Sequence, residues 1–185
     1  MSNTFYSADF HFCHDNIIRF CKRPFKGTRD MEAILVNNWN YTVKKQDKIY
    51  IVGDFSMRRK AYFEWYQGLV KKLNGRKILI LGNHDYLSPF DYINIGFESV
   101  HTSLLFEDKK LFIAHDPALA NCMPLDYKMI CGHVHNAFKY ISYPYRILNV
   151  GVDVWNFFPA SQEEVDRYFQ VINIKENNNG KVAKS

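Results

Sequence analysis

The chain has 185 residues, 47% of them hydrophobic, and a formal net charge of +5. That length suits one domain able to bury about two-thirds to three-quarters of its unfolded surface, and no run approaches the roughly 20 apolar residues of a membrane span. The charge is compatible with an anionic ligand but too mild to indicate nucleic acid by itself.

The elements follow in order. Phe5-Tyr6-Ser7-Ala8 reads as a first strand, and Asn16 to Cys21 as a short helix ending before Pro24. Asp30 to Lys44 reads as a longer helix with Met31, Ile34, Leu35 and Trp39 on one face. Ile49 to Val52 is a second strand. Lys60 to Leu73 is a second long helix, with Tyr62, Trp65, Tyr66, Leu69, Val70 and Leu73 on one stripe. Ile78 to Leu81, preceded by the turn pair Asn74-Gly75, reads as a buried strand. Phe97 to Phe106 and Leu111 to Ala114 flank a hairpin turn at Glu107 to Lys110. Tyr127 to Cys131 and Arg146 to Val150 are further strands. Ser161 with Glu164 forms a capping-box signal for a last helix ending near Gln170. Val171 to Ile174 reads as a return to a sheet, and the polar residues from 176 to 185 as a disordered tail after one domain over 1–175.

Cys13, Cys21, Cys122 and Cys131 have neither CxxC nor knuckle spacing, so they read as free thiols in a reducing cytoplasm. The opening Met1-Ser2-Asn3-Thr4-Phe5 lacks a basic region followed by an apolar one, which predicts no signal peptide.

Five apolar runs end in residues able to bind a metal. They lead to Asp9 and His11, to Gly53-Asp54, to Gly82-Asn83-His84-Asp85, to His115-Asp116, and to Gly132-His133-Val134-His135. Five of the seven histidines sit at these ends. Surface histidines would scatter, and core histidines would not sit beside glycines and carboxylates. A divalent cation of intermediate softness accepts imidazole nitrogen and carboxylate oxygen together. Two carboxylates, Asp9 and Asp54, would leave a pair of such ions with residual positive charge, which attracts phosphate and acidifies water. The spacings Asp9-x-His11 and His133-x-His135 predict both side chains of each pair on one side of an extended strand end. No serine, cysteine or threonine stands where it would attack phosphorus, so water is the expected nucleophile.

With these motifs in order over residues 9–135, the chain resembles the calcineurin-like metallophosphoesterase superfamily, whose pattern runs D-x-H, G-D, G-N-H-D/E, H, G-H-x-H. It looks closest to a small single-domain bacterial and phage branch. That branch opens D-x-H-F-G-H-x-N-I-I; here Asp9 to Ile18 matches except that Cys13 stands at the glycine, which puts the local turn in question. Asn149-Val150-Gly151-Val152-Asp153-Val154-Trp155 also looks like this branch.

The resemblance implies an α/β two-sheet sandwich (αββα) flanked by helices, with metals at the carboxyl ends of strands. It implies one metal on Asp9, His11, Asp54 and His135 and a second on Asp54, Asn83, His115 and His133. The two ions would be manganese, or else iron, zinc or nickel. It implies that attack comes from metal-bound hydroxide, that His84 assists the leaving oxygen, and that Asp85 holds the His84 ring.

His14 and Asn16 are expected to bind substrate or support the ligands. Arg58 and Arg59 are candidates to grip phosphate, though for them and for Arg19, Lys22 and Arg23 a solvated face fits equally. His101, Trp155, Phe157 and Phe158 read as structural. The expected partner is a small phosphate ester or nucleotide, with a diester favoured because the short spacings predict an open site. Nucleic acid stays open, and a monoesterase or a non-catalytic binding scaffold are the alternatives.

Overall fold

The computed structural model describes residues 2–57 and 62–170. Two five-stranded sheets form its centre. In chain order the elements are β1 (Thr4–Ser7), α1 (Asp15–Phe20), α2 (Thr28–Thr42), β2 (Lys48–Val52), α3 (Phe63–Lys72), β3 (Arg76–Ile80) and α4 (Pro89–Ile95). There follow β4 (Ser99–His101), β5 (Ser103–Phe106), β6 (Leu111–Ala114), β7 (Lys128–Cys131), β8 (Tyr140–Ile141), β9 (Arg146–Asn149) and β10 (Ala160–Ser161). A last helix, α5, covers 162–170.

The first sheet has the order β10-β1-β2-β3-β4, and β1 to β4 are parallel. The second has the order β5-β6-β7-β9-β8, with β6, β7 and β9 parallel and antiparallel edges. Parallel strands put their carboxyl ends on one side, so one rim collects every loop that leaves them.

Alternation along the strands builds two cores. Tyr6, Tyr50, Val52, Ile78 and Ile80 face the second sheet and pack with Leu111, Ile113, Ile130 and Leu148. Phe5, Ile49, Ile51 and Leu79 face the other way, onto Met31, Leu35 and Trp39 of α2 and Tyr66, Leu69 and Val70 of α3. Sheets buried on both faces read as continuous apolar runs, which is how β2 and β3 appear. Over the outer face of the second sheet lies a 3-10 turn, Pro117–Cys122, whose Ala120 packs with Met129, Cys131 and Ile147.

Two expectations change. The run 97–106 is not one strand: β4 pairs with β3 in the first sheet and β5 with β6 in the second. It is the point where the chain crosses between sheets. α4 was not foreseen, although Ser88 caps it by accepting from the Asp91 N–H, Pro89 opens it and Gly96 closes it in the left-handed conformation. The capping box at Ser161 forms, with Glu164 N–H donating to Ser161 Oγ and Ser161 N–H to Glu164 Oε2. The expected strand 171–174, the tail, Arg58 and Arg59 lie outside the described residues.

Candidate metal centre

The rim at the carboxyl ends of β1, β2, β3, β6 and β7 receives Asp9, Asp54, Asn83, His115 and His133, each one to three residues beyond its strand. The route is not an extended strand end, as the alternate spacing suggested. Asp9, His11 and Cys13 have φ of 58°, 50° and 65°, and His133 and His135 have φ of 73° and 49°. Each loop curls, and backbone bonds hold the first one beside Gly53 to Phe55: Asp9 N–H to Gly53 O, His11 N–H to Asp54 O and Phe12 N–H to Phe55 O. The side chains nevertheless converge. Cys13 adopts the left-handed turn that glycine would take freely, and its N–H donates to Glu32 at 2.8 Å.

Two groups of ligand atoms result. Asp9, His11 and His135 bring one atom each within 4.8 Å of one another, as do Asp9, Asp54 and His115. Asn83 Oδ1 lies 3.1 Å from His115 Nε2 and 3.0 Å from His133 Nδ1, and those nitrogens are 3.3 Å apart. Asp54 Oδ2 stands 3.3 Å from His11 Nε2 and 3.5 Å from His115 Nε2, so this carboxylate touches members of both groups. Gly82 makes room for it, since a Cβ there would lie 2.2 Å from Asp54 Oδ1.

The donor set fits divalent cations. His115 Nδ1 lies 2.9 Å from the Val52 carbonyl, to which only an N–H can donate. In the neutral ring Nε2 then turns its lone pair toward Asn83 Oδ1 and Asp54, oxygens that also bear lone pairs. Among the described residues, both ring nitrogens of His11 are buried without a hydrogen bond. Convergent lone pairs and orphaned buried nitrogens are satisfied together by cations that take mixed nitrogen and oxygen donors.

The charges are strongly coupled. Burial pushes the Asp9 carboxyl up to about 6, against the opposing pull of His115 and His135. Burial also drives the His11 imidazolium down to about 3. For Asp54 burial acts upward, but His115 and His11 outweigh it and bring the carboxyl to about 2. For His115 burial acts downward, and Asp54 outweighs it to give about 9.

Sequence reading missed the support of His135. Its Nδ1 lies 3.0 Å from Asp153 Oδ2, which leaves Nε2 as the nitrogen that could hold a metal. Asp153 is gripped bidentately by Arg23, Nε to Oδ1 at 2.7 Å and Nη2 to Oδ2 at 2.8 Å. Arg23 is 4% exposed and also donates to the carbonyls of Asp9 and Phe10, so it is not on a solvated face. Asn149 donates to the His135 and Phe138 carbonyls. The signal for Asn149 and Asp153 was a sixth strand-like run, Arg146 to Val150, with polar residues at its carboxyl end; nothing local marked Arg23. Cys21 lies with His135 and Asp153 in a third group of ligand type, but Arg23 already neutralises that carboxylate.

The role given to Asp85 changes. Its carboxylate accepts from the N–H groups of Gly82, Asp54 and Phe55 and from the Tyr92 hydroxyl. It ties the Asp54 loop to the Gly82 loop. The His84 ring instead has its Nδ1 3.0 Å from the Tyr86 hydroxyl. His84 N–H donates to Asp54 Oδ1 at 2.9 Å. The His14 ring centroid lies 5.4 Å from that of His11, whereas Asn16 is exposed on α1 and enters none of the site's hydrogen bonds. His101 pairs with Ser99 at 2.9 Å, away from the group.

The family model described as calcineurin-like phosphoesterase matches residues 7–167. An uncharacterized protein of Methanocaldococcus jannaschii is 30% identical over 166 residues, 87% of this chain and 88% of that protein. The gene 66 protein of Mycobacterium phage L5 is 26% identical over 195 residues, 90% of this chain and 94% of its own. A crystal structure of an Aquifex aeolicus protein of unknown function superposes with a TM-score of 0.68 at 25% identity, covering 90% of this chain and 99% of that one.

Proposed function

The chain belongs to the calcineurin-like phosphoesterase family, and on that premise we propose that it is a dinuclear-metal-dependent hydrolase of a small or nucleotide-like phosphodiester. The observation that carries the reading is Asp54, one carboxylate in contact with both histidine groups. Asp9, His11, Asp54 and His135 would hold one cation, and Asp54, Asn83, His115 and His133 the other. Manganese is the first candidate, with iron, zinc or nickel behind it. Bound, the pair supplies Lewis acidity toward phosphoryl oxygen and a lowered pKa for the attacking water.

The chain's own groups do the rest. In its imidazolium form His84 donates Nδ1–H to the Tyr86 hydroxyl and carries a second proton on Nε2 for the leaving oxygen. Water attacks phosphorus, the bond from phosphorus to the leaving oxygen breaks, and that oxygen takes a proton from His84. The cysteine geometry supports water over a thiol: Cys13 Sγ lies on Glu32 at 3.1 Å, and burial pushes the Cys131 thiol up. The diester preference rests on the open site expected from the short spacings, and Arg23, committed to Asp153, is not available to grip a second phosphate charge. Retention of His84 and all seven candidate ligands speaks against a pure binding scaffold. Among the described residues no helix is long and apolar enough to cross a membrane.

Elemental analysis and hydrolysis of bis(4-nitrophenyl) phosphate by manganese-loaded protein test the proposal. Two metals per chain and turnover are expected, with Asp54→Asn lowering occupancy at both positions. Absence of specific metal uptake would end it.

A further inference from the structure

A line of rings crosses the mouth of the centre. Phe20 packs edge-on to His14, with centroids 6.3 Å apart and planes at 76°. His14 lies 5.4 Å from His11, and His11 lies 5.3 Å from His84. His84 meets Tyr86 at 6.1 Å and 86°. The inner members are the imidazoles of the phosphate site. The outer members are two aromatic side chains largely open to water, Phe20 at 72% and Tyr86 at 52% exposure.

An exposed aromatic side chain standing singly needs no explanation. Two of them, each seated on a histidine beside the same candidate metal ligand, stand at the two ends of one run of ring contacts. His14 adds a second sign of a ligand: its Nδ1 is buried and lacks a hydrogen-bond partner among the described residues. Arg19 and Lys22, exposed beside Phe20 in the chain, add positive charge at that end.

We propose that this mouth recognises a planar ring carried next to the scissile phosphate, so that the substrate is a nucleoside-bearing phosphodiester. Phe20 and Tyr86 are its ring-binding residues, and His14 donates to an oxygen of the ester. This rests on the hydrolase reading above and narrows it. Nucleobases stack on aromatic side chains with little regard to sequence, because every base has a π-face. The open flanks suit a base on either ester arm, and the imidazoles between them suit the phosphodiester.

The test uses full-length manganese-loaded protein and two diesters, adenylyl-adenosine and glycerophosphoglycerol, which has no ring. The readout is the ratio of their KM values in each variant, which cancels differences in leaving group. Phe20→Ala should raise the relative KM of adenylyl-adenosine about tenfold, the size of one lost stacking contact. Tyr86→Leu should shift the ratio in the same direction, and Phe20→Tyr should restore it. Phe90→Ala, on another exposed aromatic, should leave it unmoved. Dialysis of adenosine 5′-monophosphate against each variant gives a reading independent of turnover. Weaker binding in Phe20→Ala without any hydrolysis would sink the enzyme and keep the ring site. Hydrolysis with an unchanged ratio in both ring variants would overturn the ring site and keep the enzyme.

Discussion

Asp153→Ala gives the sharpest test of how the centre is held. The side chains of Arg23 and Asp153 are 0% and 3% exposed and meet at 2.7 and 2.8 Å. Removing the carboxylate leaves a buried guanidinium whose remaining acceptors among the described residues are neutral, the carbonyls of Asp9 and Phe10 and the Met31 sulfur. Breaking a buried pair from one side costs about 3–5 kcal/mol. At about 2–4 °C per kcal/mol for a chain of this size, the melting temperature should fall by about 6–20 °C. Arg23→Met should be damaging as well, but Arg23→Met/Asp153→Ala should cost less than the sum of the singles by more than about 1.5 kcal/mol, since no charge is then stranded. Freed from its carboxylate, His135 should also bind metal about 10–100-fold more weakly. Urea unfolding of chelated protein gives the cycle, and equilibrium dialysis gives the metal term. Additivity within about 0.5 kcal/mol would refute the idea that the pair acts as a unit.

Three further outcomes are expected. His84→Ala should retain metal and lose turnover by about 10²–10⁴-fold, whereas His133→Ala should lose metal; equal metal loss in elemental analysis would mean His84 is misassigned. In chelated protein the folded pKa values of His115 and His135, about 9 and about 10, stand above the ordinary 6.5. For both, burial opposes the charge, and Asp54 and Asp153 respectively outweigh it. Their contribution is therefore complete below pH 6.5 and lost as pH rises through 9 to 10, so unfolding midpoints should fall over that window and a flat profile would contradict the coupling. Gly82→Ala should lower metal occupancy, because its Cβ would lie 2.2 Å from Asp54 Oδ1 and 2.5 Å from Asp54 N; unchanged stoichiometry would show that the loop yields freely.

The strands and the rim were legible because both follow from local chemistry. An apolar run must be buried, and a polar residue at its end must emerge at the sheet's edge. That rule located Asp9, Asp54, Asn83, His115 and His133. It failed where meaning lies in partners distant in sequence. Arg23 sits in a basic cluster on the page, yet its partner Asp153 is 130 residues away. Asp85 and Tyr86 are neighbours of His84, and no spacing rule says which one faces its ring. The break at Thr102 is equally invisible, because both halves of 97–106 are good strand sequence and only the sheet they join distinguishes them.

The backbone at the ligands carries a further consequence. Ten non-glycine residues among those described have positive φ, and five of them are Asp9, His11, Asp54, His133 and His135. The left-handed region costs an ordinary residue about 1–3 kcal/mol and persists only where the surroundings over-determine it. Here the surroundings are visible: the ladder from Gly53 to Phe55 beside the first loop, and the two bonds from His133 N–H to the Asp9 carboxylate at 2.9 and 3.0 Å. An extended Asp9-x-His11 segment would share a face but run straight past the rim. The curled one turns both side chains back over it, toward Asp54 and His135. The strain thus lies in the residues that must meet, and the sheets that bury Ala8 and Val52 just behind them hold it there.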